Sequence, residues 1–164
     1  MRIVIARHGH AINDKLTKLG KKQAKLLACN LLEFDFDKII CSPKHRCTQT
    51  AKIINKKLKL KIEIDENLKD RWQLGKVPQT KEEKVWWNNY MNKDFKSSLP
   101  DDLSTFINRN SLAFDKAINE NNKQKDILIV AHSATTYAFL NYYLKCKNPI
   151  WQKISNASFV CFEI

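Results

Sequence analysis

Three short, nearly uninterrupted apolar runs constrain this chain most: Ile3-Val4-Ile5-Ala6, Lys38-Ile39-Ile40-Cys41 and Ile127-Leu128-Ile129-Val130-Ala131. They are too short for buried helices and lack the alternation of a sheet with one wet face, so they read as strands covered on both sides, as in a parallel sheet. Between them the period changes. Ala24, Leu27, Ala28 and Leu31 recur at helical spacing and predict a helix over Lys18 to Glu33. Ser42-Pro43 reads as an N-cap and first-turn proline opening a helix through about Lys57. Leu60 to Ile64 alternates like a half-exposed strand, and Asp65 to Thr80 reads mostly as loop. Lys81 to Phe95, Asp102 to Asn119 and Ala134 to Leu144 read as helices, and Phe159 to Ile164 as an edge strand. Strands alternating with helices predict an α/β fold: a three-layer α/β/α sandwich with a mostly parallel central sheet and an edge C-terminal strand. The 164 residues fit a single domain, 1–164, with no repeat or Gly/Ser linker.

Composition narrows the setting. The opening Met1-Arg2-Ile3-Val4-Ile5-Ala6-Arg7 holds too few apolar residues for a signal-peptide core, and no later run approaches membrane-spanning length, so the expectation is a cytoplasmic protein with no membrane partner. Five cysteines, an odd count without zinc-ligand spacing, point to reduced thiols, mostly small core residues. The net charge of +12 admits nucleic acid or phosphorylated partners, but only five of the 29 cationic residues are arginine, in a lysine-, asparagine- and isoleucine-rich chain whose composition reads as coding bias. In such a chain a surviving arginine marks a place where the bidentate fork is needed, which singles out Arg7, Arg46 and Arg109.

In open α/β sheets, sites form beyond the carboxyl ends of the strands. The three buried runs end in Arg7-His8-Gly9-His10, in Ser42-Pro43-Lys44-His45-Arg46 and in His132-Ser133, so these clusters should meet at one sheet edge. Three chemistries compete for them. Polar strand ends capped by solvent explain each cluster singly but not all three together. A metal site on His8 and His10, helped by His132 and Asp70, meets the repulsion of two arginines. Phosphoryl transfer needs cations around the transferred group and an aligned nucleophile, which His8 with Arg7, Arg46 and His132 supplies without metal or cofactor. Cys47 lies beside this cluster, but no acidic partner for a neighbouring histidine marks it as a catalytic thiol.

Arg7-His8-Gly9, Leu16-Thr17-x-x-Gly20-x-x-Gln23-Ala24, Ser42-Pro43-x-x-Arg46-x-x-Gln49-Thr50-Ala51 and Val130-Ala131-His132, in this order and spacing, resemble the histidine phosphatase superfamily, also called phosphoglycerate mutase-like. The resemblance implies a phosphohistidine intermediate on His8, with Arg7, Arg46 and His132 holding the phosphoryl oxygens. It also implies an acid/base carboxyl in a Leu-x-Glu block, which Leu68-Lys69-Asp70-Arg71-Trp72 fits with Asp70, Glu66 being the fallback. Gly9, Asn13 and Ser133 fall at substrate-contact positions of the motif, Gly9 letting the backbone turn. The loop after Gly9 is shorter than usual, Asn13 lies one residue nearer the nucleophile, and Ser133 stands where glycine is frequent. Pro100-Asp101-Asp102-Leu103-Ser104 lacks its block's glutamate, which makes Arg109 a structural ion-pair partner.

The compact length favours a metal-independent phosphomonoester hydrolase of histidine acid phosphatase type over the longer mutases; the alternatives are a phosphohistidine-protein phosphatase or a phosphoglycerate mutase-type phosphotransferase, ahead of a non-catalytic phosphate- or nucleic-acid-binding module, against which the complete set of motif residues argues. The expected partner is a phosphorylated small molecule or phosphoprotein. Nucleic acid is disfavoured, because no aromatic-basic motif appears. Trp72, Trp86, Trp87 and Tyr90 fall on an expected lid, as packing or as a wall for the leaving group.

Overall fold

The apolar runs are the inner strands of a five-stranded sheet. The computed structural model describes residues 1–70, 103–121, 124–145 and 154–164. The helix expected over Lys81 to Phe95, the aromatic residues expected on a lid, and Arg71 and Cys146 lie outside the described residues. The strands are β1 (Arg2–Arg7), β2 (Ala11–Ile12), β3 (Lys15–Leu16), β4 (Phe36–Cys41), β5 (Lys61–Ile64), β6 (Asp126–Ala131) and β7 (Phe159–Glu163). The helices are α1 (Lys18–Asn30), α2 (His45–Leu58), α3 (Leu103–Glu120) and α4 (Ser133–Tyr142). The main sheet runs β5-β4-β6-β1-β7, parallel except for β7, which pairs antiparallel to β1 at the edge.

Alternation of side chains across the sheet divides the core in two. Val4, Ala6, Ile39, Cys41, Leu128 and Val130 face one way and pack against Leu27 and Ala28 of α1 and Ala51 and Ile54 of α2. Ile3, Ile5, Ile40, Ile127 and Ile129 face the other way, against Phe106 and Phe114 of α3 and Phe139 of α4. Every residue of β6 is buried, which explains why its run reads as continuously apolar. Burying each large side chain here stabilises the fold by about 1.5–3 kcal/mol. The expected three-layer arrangement is the observed one.

Local differences have physical causes. The first helix stops at Asn30, and Leu31–Glu33 tightens into a 3₁₀ turn that buries Leu31. Its start follows a cap: Thr17 Oγ1 accepts from Gly20 N at 3.1 Å. Ser42 and Pro43 do not open α2, which begins at His45 after Lys44 in extended conformation. The Ser42 hydroxyl is taken instead by His132, 2.9 Å away. Between β2 and β3, Asn13 (φ 48°) and Asp14 (φ 63°) are both left-handed, the signature of a two-residue primed hairpin turn. This hairpin was not anticipated, because two-residue strands leave no periodic trace. Of the cysteines, Cys41 and Cys47 are buried as expected, but Cys29 and Cys161 are exposed. None of the described helices is long and apolar enough to cross a membrane.

Candidate active site

Because β6 lies between β4 and β1, the carboxyl ends of all three strands open on one crevice. There the chain places Arg7 and His8 after β1, Ser42 to Arg46 between β4 and α2, and His132 between β6 and α4. The His8 backbone N–H donates to Ala131 O at 3.1 Å, which fixes the first cluster against the third. The two imidazoles meet edge to face, with ring centroids 5.5 Å apart.

His8 is buried and held at both ring nitrogens. Nδ1 lies 2.8 Å from the carbonyl oxygen of Gly9, which can only accept, so Nδ1 carries the proton. Nε2 then presents its lone pair, 3.0 Å from Arg46 Nε. Burial, with His132 and Arg46 adding repulsion, pushes the His8 pKa down to about 3, so the ring is neutral near pH 7. Burial also lowers His132 well below the ordinary range, Arg46 acting in the same direction, so His132 too is neutral there and not the cationic donor expected.

Gly9 serves this arrangement through its backbone. Its N–H donates to Thr50 Oγ1 at 3.1 Å, and Thr50 in turn donates to Arg46 O at 2.8 Å. The reason for glycine is close approach rather than a left-handed turn: a Cβ on Gly9 would lie 2.5 Å from the carbonyl oxygen of Gly20. Gln23 accepts from His10 N at 2.8 Å and Gln49 from Leu16 N at 2.7 Å, so the two glutamines of the motif brace the loop and hairpin backbone.

Arg46 is the hub. Its Nη1 lies 2.7 Å from Asp14 Oδ1 and its Nη2 2.7 Å from Asp70 Oδ2, the guanidinium itself being buried. Asp70 Oδ2 also sits 3.3 Å from His132 Nδ1. Asp70 thus reaches the cluster, whereas Glu66, the fallback, is exposed and ion-paired to Lys69. Arg7 Nη1 donates to Ile154 O at 2.5 Å, while its buried Nε has no acceptor among the described residues. An orphaned guanidinium donor in such a place suits an anionic oxygen from a ligand.

Other expected residues serve the frame. Ser133 accepts from Ile154 N at 3.0 Å, holding the segment whose carbonyl receives Arg7. Asn13 is exposed at the hairpin turn, and Asp14 beside it reaches the cluster. Asp14 also accepts from the backbone N–H of His45 at 3.1 Å and of Arg46 at 3.4 Å, supplying the cap that Ser42 does not. Those donors and Arg46 hold its carboxyl below the ordinary range although burial opposes them. Asp14 was missed; the signal available was an Asn-Asp pair in a short link. Arg109 donates to the carbonyls of Asn67 (2.6 Å) and Lys69 (2.7 Å), tying down the chain that carries Asp70.

His10 Nδ1 lies 2.9 Å from Thr17 Oγ1, turned to a different partner from His8. Among the described residues, no three His, Cys, Asp or Glu side chains gather as metal ligands. Cys47 Sγ is 3.6 Å from His132 Nε2, but burial raises its pKa well above the ordinary thiol value, which keeps it a protonated core thiol.

A model of the family described as histidine phosphatase superfamily (branch 1) matches residues 3–164. A Schizosaccharomyces pombe protein named "probable phosphatase" is 36% identical over 75 residues, 39% of this chain and 34% of that one. The Bacillus subtilis phosphatase PhoE, described as uncharacterized, is 30% identical over 128 residues, 76% of this chain and 62% of that one. The chain therefore spans less than two thirds of the length of these curated relatives. Among solved structures, a mycobacterial glucosyl-3-phosphoglycerate phosphatase in complex with VO3 is similar with a TM-score of 0.82 at 20% identity, over 98% of this chain and 91% of that one. At that identity the likeness speaks for the fold.

Proposed function

The chain belongs to the histidine phosphatase superfamily, and from that premise we propose that it hydrolyses phosphomonoesters through a phosphohistidine on His8. The observation that carries this reading is the state of His8: buried, neutral, protonated at Nδ1 by virtue of the Gly9 carbonyl, with the Nε2 lone pair turned to the guanidinium of Arg46. That is a nucleophile facing a phosphate-binding fork.

In the reaction, phosphoryl oxygens take up donors of Arg46, the orphaned Nε of Arg7 and an N–H of His132. His8 Nε2 attacks phosphorus as the ester oxygen leaves. Asp70, as the carboxylic acid, gives that oxygen its proton. Asp70, now a carboxylate, then accepts a proton from water as the water oxygen attacks phosphorus, which releases inorganic phosphate and restores neutral His8. The contacts of Asp70 with Arg46 and His132 favour it over Glu66 as this group, and favour an acid-using phosphatase over the phosphohistidine-protein alternative. The name of the mycobacterial neighbour supports a phosphorylated small molecule as the substrate class.

Hydrolysis of para-nitrophenyl phosphate in excess chelator tests the activity. Turnover is expected, and Asp70→Asn should lower kcat by about 10²–10⁴. Absence of turnover with para-nitrophenyl phosphate and with a panel of phosphorylated small molecules contradicts the proposal.

A further inference from the structure

The loop that carries His8 contains two consecutive peptide units that the chain holds unequally. The His8–Gly9 unit is pinned firmly at both ends. Its carbonyl oxygen accepts from Ala157 N at 3.1 Å and from Asn156 Nδ2 at 3.2 Å, and its N–H donates to Thr50 Oγ1 at 3.1 Å. The Gly9–His10 unit has a single hydrogen bond at each end among the described residues. The Gly9 carbonyl oxygen faces His8 Nδ1 at 2.8 Å, and the His10 N–H donates to Gln23 Oε1, also at 2.8 Å. Gln23 comes from α1, whose start is seated on this loop: Thr17 N donates to His10 O at 3.1 Å, and the Gly20 backbone lies against Gly9 and His10.

We propose that Gln23 is a positioning residue for the nucleophile: by holding the Gly9–His10 peptide unit, it keeps the Gly9 carbonyl on His8 Nδ1 and leaves Nε2 free to attack phosphorus. The inference rests on the phosphohistidine reading given above.

A peptide unit beside glycine turns more freely than one between ordinary residues, because no Cβ restricts the flanking torsions. Rotation of this unit would take its carbonyl away from Nδ1 and bring its N–H round towards the ring. An imidazole that meets an N–H at Nδ1 accepts there and carries its proton on Nε2, where no lone pair remains for phosphorus. His8 is neutral near pH 7, so its one ring proton must sit on one nitrogen or the other. In the unliganded pocket Arg46 Nε, 3.0 Å from Nε2, favours the same tautomer. A phosphoryl oxygen that takes up the Arg46 donors removes that help and offers Nε2 an acceptor in its place. From then on the Gly9 carbonyl, and through it Gln23, decides where the proton stays. An N–H that donates also strengthens the carbonyl of its own peptide as an acceptor, so Gln23 reinforces the bond it orients.

Nitrogen NMR of His8 in the whole protein, with and without inorganic phosphate, tests this beside kinetics with para-nitrophenyl phosphate in wild type, Gln23→Met and Gln23→Glu. Methionine matches glutamine in length and helix propensity but has no oxygen, whereas glutamate keeps the acceptor. Wild type should keep Nδ1 protonated in both conditions. In Gln23→Met the proton should move to Nε2 when phosphate is bound, and kcat should fall about tenfold as the reactive tautomer is depleted, with phosphate affinity kept. Gln23→Glu should recover both. Should Gln23→Met not fold, Gln23→Ala takes its place with the same expectations. A bare Nδ1 in wild type, or a folded Gln23→Met whose Nδ1 stays as protonated as in wild type with phosphate bound, overturns the inference. So does a loss confined to phosphate affinity. The proton readout is independent of turnover: the predicted pattern in a protein that hydrolyses no phosphomonoester contradicts the phosphatase reading and leaves the role of Gln23 standing.

Discussion

Asp14 Oδ1 lies 2.7 Å from Arg46 Nη1, and through this contact the hairpin between β2 and β3 sets the guanidinium that addresses His8. The same carboxylate caps the amide ends of α2. Asp14→Ala should therefore cost about 1 kcal/mol of stability, the usual worth of a lost cap, and should also lower kcat/KM by leaving Arg46 less ordered. Asp14→Asn keeps an acceptor for the amides and should recover most of the stability. Denaturant unfolding of the two variants checks the difference; equal destabilisation by both would mean that charge on Arg46, not capping, is what Asp14 contributes to stability.

Arg109 Nη1 donates to the carbonyls of Asn67 and Lys69, the two residues flanking the end of the 3₁₀ turn that precedes Asp70. Hydrogen bonds from a charged donor are worth about 1.5–3 kcal/mol. Arg109→Ala is expected to destabilise the protein by roughly that amount and to reduce kcat more than it raises KM, because it loosens the carrier of the acid rather than the phosphate clamps. A change confined to KM would argue against this.

How much of this was readable in advance depended on whether a residue acts through its own strand or through a distant one. Arg7, His8, Arg46 and His132 sit at or just beyond the ends of buried strands, so periodicity places them on one crevice, and the ordered motif blocks add their roles. Asp14 was missed and Ser42 assigned to the wrong role for one reason: their partners are 32 and 90 residues away in sequence. Local rules assign Ser42 a cap next door, whereas tertiary packing gives its hydroxyl a buried imidazole and hands the cap to a hairpin too short to show a period. Gly9 was noticed for a turn, and the constraint proves to be the backbone of Gly20.

That contact yields a third expectation. Gly20 and the loop at His10 are pressed together so closely that a Cβ on Gly20 would overlap the His10 carbonyl oxygen. Both sides are backbone, so neither can give way cheaply. Gly20→Ala should cost more than the ~1 kcal/mol that helix propensity alone would return in its favour, and should disturb His8 through Gly9. Thermal unfolding with activity measured in parallel decides it: a stabilised, fully active Gly20→Ala variant would show that the contact is slack.

The buried histidines also set how stability responds to acid. His8 binds its proton at about 3 in the fold against an ordinary 6.5, so between those values the unfolded chain holds a proton that the native state does not. Stability is full above the ordinary value and is lost as pH falls through this window, with His132 acting in the same direction. His8→Gln, which cannot titrate, should lose less stability than wild type between about pH 7 and pH 4. Denaturant midpoints at the two pH values check this, and parallel losses in both proteins would contradict the neutral, buried state of His8.

The account depends above all on a covalent bond from His8 to phosphorus. Rapid acid-free quenching of the wild-type enzyme during turnover of para-nitrophenyl phosphate, followed by phosphorus NMR and peptide mapping, should find an acid-labile phosphoramidate on His8. His8→Gln should fold, show no such species and give no turnover. A phosphorylated residue elsewhere, or sustained hydrolysis by the His8→Gln variant, would contradict the account.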